Sequence, residues 1–199
     1  MFRALHPRSF WDAAFAQGSQ VYDRSLRTAR EEKVEWRRVH PGDRIDVDQV
    51  SVEFLAPDSA WTASLDDPNS ASTIALVRYG AVRFLLVGDA EAPEERWLLD
   101  HARTELHADV LKVGHHGSST SSTDEFLSAV SPGTAIISVG ADNPYGHPSA
   151  DVLAALTRVG ARVVRTDELG TIIVRTDGRS ITLEAEGRRW DISPASARR

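Results

Sequence analysis

Apolar and polar positions along this chain follow two periods, and the place where one gives way to the other organises it. Residues 34–39 alternate apolar with polar until Pro41-Gly42-Asp43, which predicts a strand and then a turn. Residues 43–47 and 50–56 read as further strands, the second stopped by Pro57, and 58–72 as a polar loop holding Trp61 and Asn69. Upstream, residues 9–17 place Phe10, Ala13, Ala14 and Phe15 near helical spacing behind a Ser9 cap, with Gly18 as the stop, so a helix is expected there. Residues 20–33 are charged and weakly helical.

From Ser72 the pattern becomes regular. A strand to Arg78, a Tyr79-Gly80 turn and a strand to Val87 precede a helix over 93–103, with Pro93 in its first turn. A strand over 109–113, a helix over 123–130 capped by Thr123, a strand over 135–139 and a helix over 149–159 ended by Gly160 follow. Strands are then expected over 162–166, 170–175 and 180–184, the last two joined by the Asp177-Gly178 hairpin signal, and the tail over 187–199 reads as polar and loose. Strands alternating with helices in one half and hairpins in the other predict a mixed sheet covered by helices, α/β in class. The whole of 1–199 reads as a single domain, without repeats or a linker.

The most informative stretch is V-L-K-V-G-H-H-G-S-S-T-S, residues 110–121. A short apolar run stopped by Gly114 puts His115 and His116 at a strand's carboxyl end, where layered α/β proteins collect ligands. F-L-L-V-G-D delivers Asp89 in the same way, and A-I-I-S-V-G leads to Tyr145, Gly146, His147 and Pro148. Asp89 reads as a metal-ligating carboxylate or as a turn or cap residue. Neighbours on an extended chain face opposite sides, so if His115 ligates a metal, His116 is expected to donate from behind or to touch substrate. His147, between a glycine and a proline, is either a ligand or a surface turn residue. Gly117, Ser118 and Ser119 can offer amide groups to an anion or form a plain loop, and Asp142 and Asn143 can hydrogen-bond near the site or simply turn the chain. Asp167 supports a histidine or turns the chain.

Composition narrows the chemistry. The chain has 199 residues, 23 Lys and Arg against 29 Asp and Glu, and a net charge of -6, which argues against holding DNA through a global positive field while leaving room for a local basic groove. No cysteine is present, so any transition-metal site must use His, Asp or Glu. No apolar run approaches the roughly 20 residues of a membrane span. A soluble, cytoplasmic protein is the expectation as written, membrane-associated if it forms part of a longer protein.

Taken together, G-D at 88–89, K-V-G-H-H-G-S at 112–118, N-P-Y-G-H-P at 143–148 and R-T-D-E-L-G-T at 165–171 resemble the C-terminal part of the metallo-β-lactamase-like domain of ComEC-type competence proteins, which are membrane channels for DNA uptake. The resemblance runs from about Gly42 to Glu184. It implies an αββα sandwich with a site at one edge of the sheets, and two divalent ions, zinc or manganese, bridged by Asp89. It further implies that His115 ligates one ion and His147 the other, with His116 as the catalytic neighbour and Ser118 and Asn143 toward the substrate. The implied activity is metal-assisted hydrolysis of phosphodiesters, with DNA as substrate.

The family's H-x-H-x-D-H motif, which would supply most of the ligands, occurs nowhere in these residues. Catalytic zinc wants about three protein ligands and an open position. The expectation is therefore a sandwich incomplete at its N-terminus, with metal weakly bound or absent and little activity in the isolated chain. Its partners would be the missing N-terminal part or the membrane channel. Two other readings stand beside it: a stand-alone phosphodiesterase or phosphocholine-esterase-like hydrolase with a mis-set start, and a non-catalytic binding module.

Overall fold

Alternating side chains on one sheet decide how the layers stack. The computed structural model describes residues 1–15, 19–64 and 71–192. In chain order it begins with α1 (Phe2–Leu5), β1 (Ser9–Asp12), α2 (Gln20–Glu31) and β2 (Glu35–Arg38). Next come β3 (Arg44–Val47), β4 (Val50–Ala56), α3 (Ser59–Ala63), β5 (Ile74–Tyr79) and β6 (Val82–Leu86). Strands and helices then alternate through α4 (Ala92–His101), β7 (Val110–Lys112), α5 (Asp124–Val130), β8 (Thr134–Ile137), α6 (Ala150–Arg158) and β9 (Arg162–Arg165). The short α7 (Thr166–Leu169) leads to β10 (Ile172–Thr176), β11 (Ile181–Ala185) and β12 (Arg188–Ile192).

β3 to β9 form one seven-stranded sheet in sequence order, antiparallel from β3 to β6 and parallel from β6 to β9. Leu85, Leu111, Ala135 and Ile137 point to one face and pack with Leu98 of α4, Phe126 and Leu127 of α5 and Leu156 of α6. Their neighbours Val82, Val110 and Val164 point to the other face and meet Ile181, Leu183 and Ile192 of the antiparallel sheet β10-β11-β12. Further along that same face, Trp11 of β1 stacks on Phe54 of β4, with ring centroids 5.6 Å apart. Phe10, on the opposite side of β1, joins Phe2, Ala29 and Val34 beneath α1 and α2. The order is therefore helices, large sheet, two small sheets, helices: an αββα sandwich whose second β-layer is in two pieces. Leu86, on the face between those pieces, is 42% exposed.

Three expectations are corrected. The stretch expected as a helix from Ser9 is the strand β1, paired in parallel with β2. Its large side chains serve two different clusters on opposite sides, as a strand requires and a single helical stripe does not, and Ala14 has a left-handed φ of 55°. The end of that predicted helix, residues 16–18, lies outside the described residues. Inside the loop expected over 58–72, Asp58 caps α3 by accepting from the amides of Ala60 and Trp61, while Asn69 lies outside the described residues. The tail expected to be loose from Gly187 continues as β12, paired with β11 through Ile192, and 193–199 lie outside the described residues.

Two buried carboxylates of α4 face the layer below the site. Glu95 accepts from the Ser122 amide and from the amide and hydroxyl of Thr123, tying α4 to the turn before α5. Glu94 is fully buried, and neither of its oxygens has a hydrogen-bond partner among the described residues. Burial pushes its carboxyl from an ordinary 4.5 up to about 9; Glu95 adds to the rise and the nearby Ser72 amide opposes it. The unfolded chain releases this proton near the ordinary value and the folded protein holds it to about pH 9, so folded protein binds more protons across that window. Stability should accordingly fall as pH rises from about 4.5 to about 9. Glu94→Gln, similar in shape and never ionised, should remove this slope: in urea denaturation the parent should lose stability from pH 4.5 to pH 8 by at most about 1.4 kcal/mol per pH unit, while the variant stays level.

Candidate active site at the parallel edge

Because β6, β7 and β8 run parallel, their carboxyl ends open on one edge and their following loops meet there. β6 leads to Gly88 and Asp89, β7 to His115 and His116, and β8 to the loop carrying Asn143 and His147. The loops nest closely. A Cβ on Gly114 would lie 2.7 Å from the Ala90 carbonyl oxygen, and one on Gly117 would lie 2.6 Å from Pro148 Cβ. Glycine at 114 and 117 lets the second loop press against the first and third. The Ser149 amide, donating to the Gly117 carbonyl at 2.9 Å, closes the second junction.

His115 and His116 do not continue an extended strand, which corrects the expectation that they face opposite sides. Residues Gly114–Gly117 form one tight turn in which both histidines have left-handed backbone, φ 41° and 54°. Both imidazoles therefore stay at the site, with ring centroids 6.4 Å apart. Left-handed conformations at consecutive non-glycine residues are costly and gather at functional sites.

The polar partners settle which nitrogen each ring presents. His116 Nδ1 lies 2.6 Å from the Ser138 carbonyl oxygen, which only accepts, so Nδ1 carries the hydrogen. Its Nε2 faces Asp89 Oδ1 at 3.5 Å. His115 Nδ1 donates to Glu91 Oε1 at 2.8 Å, leaving Nε2 with a free lone pair, the arrangement in which a carboxylate orients a working histidine. The His115 ring is 5.9 Å from that of His147. Loss of hydration, followed by the neighbouring His115 and His116, holds the His147 imidazole below its ordinary value.

Asp89 is fixed through its amide, which donates to Ser72 Oγ at 3.0 Å. Its Oδ1 lies 3.7 Å from Lys112 Nζ, and that ammonium donates to the Gly88 carbonyl at 2.6 Å. Burial lowers the Lys112 pKa while Asp89 raises it.

The structure thus brings Asp89, His115, His116 and His147 together. Ser118 and Asn143 have other work. Ser118 is buried, with its hydroxyl on Thr120 Oγ1 at 2.9 Å. Asn143 holds the His147 loop, donating to the carbonyls of Gly140 and His147 and accepting from the His147 amide. Asp167 lies against Arg165. Sequence reasoning missed Glu91, hidden in an acidic helix start, and Lys112, whose signal was a charge in the apolar run V-L-K-V.

One carboxylate and three imidazoles suit zinc or manganese in donor chemistry. Their placement does not complete a site: among the described residues no three His, Asp or Glu side chains converge to hold one ion. The Lys112 ammonium also puts a positive charge beside Asp89. These side chains do not by themselves fit the pair of ions that the family resemblance implies. Among the described residues no helix is long and apolar enough to cross a membrane.

Comparison with known proteins agrees with this architecture. Residues 7–141 match the Metallo-beta-lactamase superfamily. ComE operon protein 3 of Bacillus subtilis is 38% identical over 79% of this chain and 20% of its own length. Competence protein ComA of Neisseria gonorrhoeae is 33% identical over 84% of this chain and 24% of its own length. Recombination protein 2 of Haemophilus influenzae is 40% identical over 73% of this chain and 18% of its own length. The chain spans about a fifth of the length of these relatives.

The Glu91 contact has a direct readout. In Glu91→Gln the charged acceptor at His115 Nδ1 is gone, and the share of His115 protonated on Nε2 should rise in nitrogen-15 spectra while His116, held by a backbone carbonyl, keeps its tautomer.

Proposed function

Because this chain belongs to the metallo-β-lactamase superfamily and is similar over most of its length to competence proteins, we propose that it is a competence-type phosphodiester hydrolase acting on DNA in connection with its uptake, on the strand that does not enter the cell. The observation that carries this reading is the meeting at one sheet edge of Asp89 with three imidazoles, two of them presenting Nε2. In hydrolysis, His116 Nε2 takes the proton of the attacking water as the phosphorus–oxygen bond to the leaving strand breaks, with Asp89 supporting the imidazolium. The Lys112 ammonium supplies positive charge for a non-bridging phosphate oxygen. Divalent ions belong to the family's chemistry, and with the donor set here incomplete, turnover by this chain alone is expected to be slow.

The ammonium beside Asp89 favours a second reading, a module that binds phosphodiesters without cleaving them. Incubation of the chain with single-stranded DNA and manganese or zinc, with and without EDTA, separates the two. Slow cleavage, reduced about 100-fold by His116→Ala and by Asp89→Asn, is expected for the hydrolase, and the EDTA arm reports whether ions take part despite the open donor set. Binding without cleavage would select the module, and neither binding nor cleavage would remove both.

A further inference from the structure

We propose that the ring of Tyr145 is a stacking platform for a nucleobase of single-stranded DNA whose adjoining phosphate lies at the histidines. The inference rests on the phosphodiester reading and adds to it the part of the substrate held outside the reacting group. Tyr145 is 77% exposed, yet it is not a free side chain. Its ring lies nearly parallel to that of His147, 18° between planes and 5.8 Å between centroids. His147 is in turn held at both its amide and its carbonyl by Asn143. One face of the tyrosine is thereby backed and the other left to solvent.

From this open face the rings lead inward. Tyr145 to His147 is 5.8 Å, His147 to His115 5.9 Å and His115 to His116 6.4 Å, and His116 reaches Asp89. The row is uncharged at its outer end and polar at its inner end beside Lys112, which matches a nucleotide's flat base and anionic phosphate. Base–aromatic stacking is tolerant of sequence and needs no global positive field, as suits a chain of net charge -6. The surroundings disfavour a protein partner: of the exposed neighbours, Gly140, Ala141, Asp142 and Gly146 are small or polar and only Pro144 adds apolar bulk, short of the contiguous apolar patch that an interface core needs.

The test is binding of labelled strands of equal length to the full chain at low salt, one of oligothymidylate and one abasic. The protein should prefer the strand with bases about tenfold. Tyr145→Ala should abolish that preference while leaving affinity for the abasic strand unchanged, and Tyr145→Phe should keep it. A preference that survives Tyr145→Ala, or its absence in a protein that still binds the abasic strand, would overturn the platform and leave the phosphodiester reading intact. Failure to bind either strand would overturn both.

Discussion

The site exists because three loops at the parallel edge can approach more closely than side chains normally allow. At Gly114 and Gly117 a single added carbon would sit under 3 Å from a backbone carbonyl on one side and a proline on the other. That contact is shorter than any carbon tolerates, so the middle loop would have to withdraw from at least one neighbour. Withdrawal from the first loop separates the histidine pair from Asp89; withdrawal from the third separates it from His147. The short left-handed turn between the two glycines then has only one way to aim its imidazoles, and the Glu91 and Ser138 contacts determine which nitrogen faces inward.

The parallel half of the fold was largely legible in advance. Phe84 to Val87, Val110 to Val113 and Ala135 to Val139 are mainly apolar runs, broken only by Lys112 and Ser138, as strands covered on both faces require, and each ends at a glycine before its loop. What escaped prediction depends on partners distant in sequence. Phe10 and Trp11 look helical beside Ala13 and Ala14 until Phe54 and the underside of α2 are present to receive them separately. Residues after Gly187 look loose because their polar surface hides a strand completed only by β11. At the site, residue types announced Asp89, His115 and His147, whereas the left-handed turn, the carboxylate behind His115 and the ammonium at Asp89 arise from three-dimensional proximity that no spacing encodes.

Electrostatically the cluster is set by two carboxylates and one ammonium. Asp89 is answered by Lys112, and Glu91 is shared between His115 and the Thr120 hydroxyl. His115 and His116 are held in defined tautomers by Glu91 and the Ser138 carbonyl, while Asp89 already has a cation at hand. Such a site draws a divalent ion with less force than a bare carboxylate among histidines would.

The large sheet changes character at β6, and that change orders its assembly. β3 to β4 and β5 to β6 are hairpins closed by two-residue turns, with contacts between residues near in sequence. Each parallel pair beyond β6 must instead wait for an intervening helix, a longer closure with a greater entropic cost. The shortest closures of the sheet therefore lie in its antiparallel half, and the parallel edge is joined through longer ones. Its loops meet only when these longer closures are made, so the corner that gathers the histidines rests on the sheet's entropically costlier contacts.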